Sequence, residues 1–344
     1  MALNTTGIPS AFSAYDRSFL ALLGPTPKLE VLLENKTYPF AHEASVYIPT
    51  TNDLFMSSNY FNDTAGLKTI TISKVTLPEN GEDKPIFSEM LDTTIPMANG
   101  GINYVNESIL FCGQGNMTAT GGLFKLSTNP PYEAELLVGG FYGKEFTSVN
   151  DVVVHSDGSI WFTDPIYGYV QGIRPAPRLP NQVYRFDPKT RQIRVVADGF
   201  GRPNGISFSP DESVLYITDT AQVNGDGTTD YTKPATIPTR LSSYAFNVTT
   251  GNGDTFLTDR RVFAMADTGI PDGIKNDVFG NVYAGCGDGI NTWSAGGVLL
   301  GKIIVENGAS NFAFGRNGEL FIMNENRLLR AQLSEDVKGA LLRV

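Results

Sequence analysis

Four polar residues, far apart in the chain, open short stretches of similar build: Glu43 in HEASVYIP, Asn150 in SVNDVVV, Asn204 in RPNGISF and Asp272 in IPDGIKN. Two are carboxylates and two are primary amides, so together they form an all-oxygen donor set with net negative charge. Two carboxylates sharing one axis repel each other and desolvate poorly. A hard divalent cation relieves both costs, and a set of this kind suits Ca2+ best, with Mn2+, Mg2+ or Zn2+ as alternatives. Taken singly, each Asn or Asp reads as a turn residue, which is its commonest role. At equivalent positions of a repeat, the metal reading outweighs that one. Asn103 and Asn311 belong to the two remaining units and are secondary members of the set. His42 adjoins Glu43 and offers an imidazole that titrates near neutrality, a second candidate for acid–base work. Strand alternation predicts that it faces away from the side Glu43 uses.

The positions are equivalent because the chain repeats. One unit runs from Asn150-Asp151 through a turn at Asp157-Gly158 and an apolar strand at Ile160–Thr163 to Asp164. The next runs from Asn204-Gly205 through Pro210-Asp211 and Val214–Thr218 to Asp219. Six such units open at Glu43, Gly101, Asn150, Asn204, Asp272 and Asn311, roughly fifty residues apart, the period of four-stranded propeller blades. No long amphipathic helix interrupts them, which disfavours alternating strand–helix folds. The expectation is an all-β, six-bladed propeller over residues 28–344, preceded by an N-terminal extension, residues 1–27. The lone strand Lys28–Glu34 is expected to close the ring as the outermost strand of the last blade. The first fifteen residues have no expected place in a sheet and should tolerate removal. In such a ring the innermost strands start at one mouth of the central channel, so the opening residues converge there.

Composition narrows the partners. The chain has 344 residues with a net charge of -10, a 41% hydrophobic and an 18% charged share. No basic stripe offers itself to a phosphate backbone, so nucleic acid is not an expected partner. No apolar run is long enough to span a membrane. The compartment stays open between cytoplasmic and secreted with a signal removed, and the chain is expected as a monomer or homodimer acting on a small molecule. Cys112 and Cys286 leave two free thiols or one disulfide open. The stretch GGVLLGK at 296–302 mimics part of a phosphate-binding loop but lacks the following Ser or Thr.

With these motifs assembled, the chain resembles the SMP-30/gluconolactonase/luciferin-regenerating family. Glu43 in its strand, SVNDVVVHSDGSIWFTDP, RPNGISFSPDESVLYITDT and Ile270-Pro271-Asp272-Gly273 carry the likeness, from about Lys28 to the C-terminus. Phe141-Tyr142-Gly143 and the stretch from Pro180 to Asp187 bring it nearest to the fungal lactonohydrolase-like branch. The resemblance implies a six-bladed propeller, one divalent metal on Glu43, Asn150, Asn204 and Asp272, and hydrolysis of a lactone. It also carries Asp272 as the first choice of general base. Some relatives place an Arg two residues before the Asn that matches Asn150, where it holds a polar sugar lactone; Ser148 stands here. Aromatic residues at Tyr60, Phe61, Tyr142, Trp161, Tyr167, Tyr169 and Trp293 would favour a bulkier lactone of the secondary-metabolite type, if they line the mouth. The competing reading is a propeller catalysing a non-hydrolytic cyclisation, isomerisation or cycloaddition. A non-catalytic binding propeller would have no need of carboxylates in its channel.

Overall fold

The computed structural model describes residues 3, 7–78, 87–226, 228, 241–340 and 342. Each repeat forms one antiparallel sheet, and the order within a sheet follows the order in sequence from the axis outward. Blade 1 holds Glu43–Ile48, Asp53–Ser57, Ile72–Thr76 and Phe87–Leu91; blade 2 holds Ala98–Asn103, Ile109–Gly113, Gly122–Leu126 and Ala134–Val138. Blade 3 holds Val152–Val154, Ile160–Asp164, Gln182–Phe186 and Ile193–Ala197; blade 4 holds Pro203–Phe208, Val214–Thr220, Leu241–Gly251 and Asp254–Met265. Blade 5 holds Ile274–Asn276, Val282–Cys286, Gly289–Trp293 and Leu299–Ile304, and blade 6 holds Phe312–Phe314, Glu319–Asn324 and Arg327–Gln332.

These short runs become strands because their apolar residues have two faces to fill. A blade is sandwiched between two neighbours, so both faces of its middle strands are buried and the sequence reads as nearly continuous apolar runs such as Ile160–Asp164. The core is therefore a set of inter-blade clusters. Trp161, Phe208, Leu215 and Ile217 join blades 3 and 4, and Phe55, Phe111 and Leu126 join blades 1 and 2. Ile102 is shared by clusters of blades 2–3, 3–4 and 5–6, which sets its side chain across the central axis. Cys112 and Cys286 are both buried free thiols in different blades.

Lys28–Glu34 pairs antiparallel with Arg327–Gln332 and completes blade 6 with a strand from the opposite end of the chain. The residues before it are also built in. Phe12–Ala14 pairs with Leu299–Ile304 as a fifth strand of blade 5, and the helix Arg17–Leu23 packs Phe19 and Leu23, each 1% exposed, against that blade. Gly301 lies so close beneath the Phe19 ring that a Cβ there would fall 2.1 Å from it. The expected tolerance of the first fifteen residues does not fit this packing, because Phe12 and Ala14 carry buried surface as well as ladder hydrogen bonds. Starting the chain at residue 16 should cost about 2 kcal/mol or more, the scale of one buried aromatic side chain. Starting it at residue 37 should abolish cooperative unfolding. Urea denaturation distinguishes these, and an unchanged midpoint for the shorter chain would remove Lys28–Glu34 from the closure.

Candidate metal centre

The repeated Thr-Asp and Asn-Gly pairs have separate jobs in placing the opening residues. Thr163 Oγ1 donates to the carbonyl of Asn204, 2.7 Å away in the next blade. Thr218 Oγ1 donates in the same way to the Asp272 carbonyl at 2.7 Å, and Ser57 Oγ to the Asn99 carbonyl at 2.9 Å. Ser310 Oγ completes the pattern on the His42 carbonyl at 2.6 Å. Thr218 Oγ1 also accepts the Gly205 N–H at 2.7 Å, so one hydroxyl ties two blades together. The following Asp works within its own blade. Asp164 accepts the N–H groups of Thr147 and Ser148, and Asp219 those of Gly201 and Arg202, which fixes the loop that leads into the innermost strand of the same blade.

Glycine follows the opening residue where the blades touch most closely. A Cβ on Gly205 would stand 2.4 Å from the Asp272 carbonyl oxygen, and one on Gly273 would stand 2.5 Å from Asn311 Cγ. No side chain fits at either place. With carbonyls pinned and strands in contact, the side chains of the opening residues have one direction left, towards the axis.

Glu43, Asn150, Asn204 and Asp272 line one cavity of about 330 Å³ at that mouth. Glu43, Asn150 and Asn204 are at most 5% exposed. Asn150 Oδ1, Asn204 Oδ1 and Asp272 Oδ1 are buried without any hydrogen-bond partner. Buried polar oxygens are nearly always paired, so three orphans converging on one space are unusual. Among the described residues no three His, Cys, Asp or Glu side chains cluster as ligands. The gathered set is two carboxylates and two amides, whose donor chemistry fits a hard divalent cation.

The secondary members divide. Asn311 stands behind the cavity wall, donating from Nδ2 to Glu43 Oε2 at 2.5 Å and accepting from Ser45 Oγ at 3.1 Å, so it aims the carboxylate. Asn103 is not at the mouth: its amide bonds the Tyr47 carbonyl at 2.8 Å. Asn99, four residues earlier, takes the place in the cavity wall. Its Asn99-Gly100 pair is the same signal as Asn204-Gly205.

His42 also departs from expectation. It lines the same cavity as Glu43, because the strand register slips between Glu43 and Val46 and Ala44 adopts a left-handed φ of 52°. A bulge of this kind breaks the alternation on which the expectation rested. His42 Nδ1 lies 2.7 Å from Glu325 Oε1, and Asn59 Nδ2 holds the other oxygen of Glu325 at 3.2 Å. Glu325, a third carboxylate in the cavity wall, sits in the tight turn between Glu319–Asn324 and Arg327–Gln332.

Electrostatics follow from this crowding. Burial pushes the Glu43 carboxyl well above the usual range, and the Asp272 and Asp151 charges push it further against the opposing pull of His42. Burial likewise raises Asp272, to about 6, with Asp151 and Glu325 adding to the rise and His42 opposing it. For His42, burial alone would favour the neutral ring; the charges of Glu325, Glu43 and Asp272 outweigh it and raise the imidazole to about 10. Without a metal, the acidic neighbours thus favour the protonated form of His42, while burial disfavours ionisation of Glu43 and Asp272.

The outer wall is formed by Tyr167, Gln171, Val223, Gly225 and Ile270. Of the aromatic residues expected at the mouth, Tyr167 is there; Trp161 and Trp293 are 0% and 3% exposed in inter-blade cores, and Tyr142 is 81% exposed. Ser148 turns away from the cavity: its Oγ donates to Gln114 Oε1 at 2.8 Å and accepts the Gly168 N–H at 2.9 Å, which seats the short helix Tyr167–Val170.

Comparison with known proteins gives a consistent answer. A family model described as SMP-30/Gluconolactonase/LRE-like region matches residues 95–325. Lactonohydrolase oryL of Aspergillus oryzae is 30% identical over 308 residues, covering 86% of this chain and 67% of that protein. Lactonohydrolase oryH of the same organism is 27% identical over 381 residues, covering 91% and 78%. A solved gluconolactonase from Xanthomonas campestris superposes with a TM-score of 0.70 at 27% identity, covering 97% of each chain.

The hydroxyl bridges should be measurable. Thr218→Val keeps the side-chain shape but leaves the Asp272 carbonyl and the Gly205 N–H without their partner. It is expected to cost about 1–3 kcal/mol in urea denaturation, the range for an orphaned buried group. A neutral result would deny these bridges a part in holding the blades.

Proposed function

The chain belongs to the SMP-30/gluconolactonase/LRE-like family and is a hydrolase of its lactonase type, and on that footing we propose that it opens a lactone by metal-dependent hydrolysis, with Ca2+ held by Glu43, Asn150, Asn204 and Asp272. The observation that carries the metal is the set of three buried, unpartnered oxygens on Asn150, Asn204 and Asp272 facing one cavity. Bound there, the cation would supply Lewis acidity to the ester carbonyl and offset the charge of the tetrahedral oxyanion.

The protein groups divide the remaining work. Asp272 is proposed as the base that takes a proton from the attacking water, one of its oxygens being left for this while the other serves the cation. His42 has Nδ1 committed to Glu325, so Nε2 is the nitrogen free for a ligand. With Glu325 beside Nδ1 favouring the protonated ring, His42 is suited to donate a proton to the departing ring oxygen rather than to act as the base. Asn99 and Asn59 stand in the same wall and can hold substituents of the ring.

The cavity also shapes the substrate reading. Its volume of about 330 Å³ is near the small end of ligand pockets, roughly 300–1,000 Å³. Among the described residues, polar side chains dominate its wall, and the aromatic cushion that would favour a bulky secondary metabolite is reduced to Tyr167. We therefore propose a compact lactone bearing polar substituents. A panel of lactones graded in size, assayed with and without chelator, tests this. Chelator-insensitive turnover would remove the metal from the mechanism, and preference for the largest, least polar members would reverse the substrate reading.

Glu43→Gln and Asp272→Asn are each expected to lower Ca2+ content and turnover together. Each should also raise the unfolding temperature of the metal-free protein, since a repelling carboxylate is removed from a buried cluster. Elemental analysis and thermal scans in chelator read the two effects. Asn204→Asp should keep or tighten Ca2+ binding yet slow turnover about tenfold, a loss of about 1.4 kcal/mol in the transition state. Asn204→Ala should weaken both; parental binding and turnover in that variant would leave Asn204 as a turn residue only.

A further inference from the structure

The connections around the mouth are uneven. In blades 1, 3 and 4 the second and third strands are joined by long stretches, whereas blades 5 and 6 make the same connection with Gly287-Asp288 and Glu325-Asn326 alone. The long stretches meet one another. In blade 1 the short strands Phe61–Asn62 and Lys68–Thr69 pair as a hairpin, and Lys68 Nζ donates to the Gln171 carbonyl of blade 3 at 2.5 Å. Blades 1 and 3 are not neighbours in the ring, so this bond passes across the sector of blade 2. The ammonium also lies 4.9 Å from the centre of the Tyr60 ring, a second contact that favours this direction.

Gln171 carries the link on to blade 4, where its Nε2 donates to the Gly225 carbonyl at 3.1 Å. The fit is close: Gly225 has a φ of 72°, and a Cβ there would lie 2.5 Å from that nitrogen. Arg202, 3% exposed, holds the same stretch of blade 4 by donating to the Ala221 and Val223 carbonyls, each at 2.7 Å. Lys68, Gln171 and Gly225 thus make an arch, and its last two members line the cavity. Among the described residues nothing comparable spans blades 5 and 6. On that side a groove of about 410 Å³, lined by Glu34, Glu306, Asn307 and Arg327 among others, shares Glu325 with the cavity.

His42 and Glu325 come from the junction of blades 6 and 1, and blades 3 and 4 stand opposite in the ring. A lactone whose ring oxygen faces His42 therefore has the carbon bearing that oxygen on the open side. Its carbon beside the carbonyl then lies on the side of the arch. We propose that Gln171, the keystone of this arch, is a specificity-determining residue. It admits lactones with a long substituent on the carbon bearing the ring oxygen and excludes those with one on the carbon beside the carbonyl. The idea rests on the lactonase reading and on His42 as the acid, but the arch itself can be measured without either.

The test uses pairs of lactones of one ring size that carry the same alkyl chain at one or the other carbon. The parent protein should prefer the first isomer by about tenfold or more in kcat/KM, the scale of a steric exclusion. Gln171→Ala should reduce that preference about tenfold, since it removes the wall itself. Lys68→Met should reduce it about threefold, the size of one hydrogen bond. Without metal or substrate, Lys68→Met should quicken amide hydrogen exchange within residues 61–69, and Gln171→Ala within 221–226. A preference that both variants leave unchanged, or exchange that neither alters, overturns the proposal. If the parent opens no lactone, the hydrolase reading fails on its own, and calorimetric binding of the same pairs decides the role of Gln171. Binding of the first isomer alone, with the second gained in Gln171→Ala, supports it; equal binding of both by the parent overturns it.

Discussion

Everything at the mouth of this propeller depends on a hydroxyl of one blade holding the carbonyl of the next. Ser57, Thr163, Thr218 and Ser310 each reach across an interface to the main chain of a residue at or beside the site. A strand held by its own ladder could still slide or rotate against its neighbour by a fraction of an ångström. A hydrogen bond to the carbonyl of the opening residue removes that freedom at the point where it matters. The side chain then projects from a backbone fixed on two sides, the condition for a preorganised ligand set. The Gly205 and Gly273 contacts act in the same sense, since the absence of a side chain lets the inner strands close to contact.

This rigidity is needed because the site works against the fold. Glu43, Asp151 and Asp272 sit in a poorly solvated space, and burial drives each towards its neutral form; neighbouring acids add to the push at Glu43 (Asp272 and Asp151) and at Asp272 (Asp151 and Glu325). A compliant scaffold would relax by letting one carboxylate swing out to water. Here Asn311 clasps Glu43, and backbone N–H groups of two blades hold Asp151. The energy of crowding stays in the structure, in keeping with the tendency of strained polar groups to collect where a protein binds or reacts.

Much of this was legible in the sequence because the repeat is legible. Asn-Gly and Thr-Asp recur with the blades, so the six units, the closing strand Lys28–Glu34 and the four main site residues could be placed from spacing alone. What escaped had local causes. Asn99 escapes a reading that opens the strand at Gly101 and favours Asn103, although Asn99-Gly100 repeats the pair at Asn204-Gly205. His42 faces the cavity against simple alternation because a single left-handed residue, Ala44, resets it, and a bulge leaves little trace in one sequence. Glu325 lies in a hairpin turn, where Asn-Glu-Asn reads as solvent-exposed turn chemistry; its link to His42 spans 283 positions and exists only once the ring has closed. The aromatic residues misled for a simpler reason. In a propeller both faces of a blade are interior, so Trp161 and Trp293 fill the seams and leave the mouth to amides and acids.

Ile102 narrows the channel beneath the mouth. Its side chain touches core clusters on opposite sides of the ring, so a small molecule meets a constriction just below the cavity, and the open mouth is the easier way in and out. If a lactone is opened in that cavity, the hydroxy acid formed occupies the space the next lactone needs, and product is expected to compete with substrate.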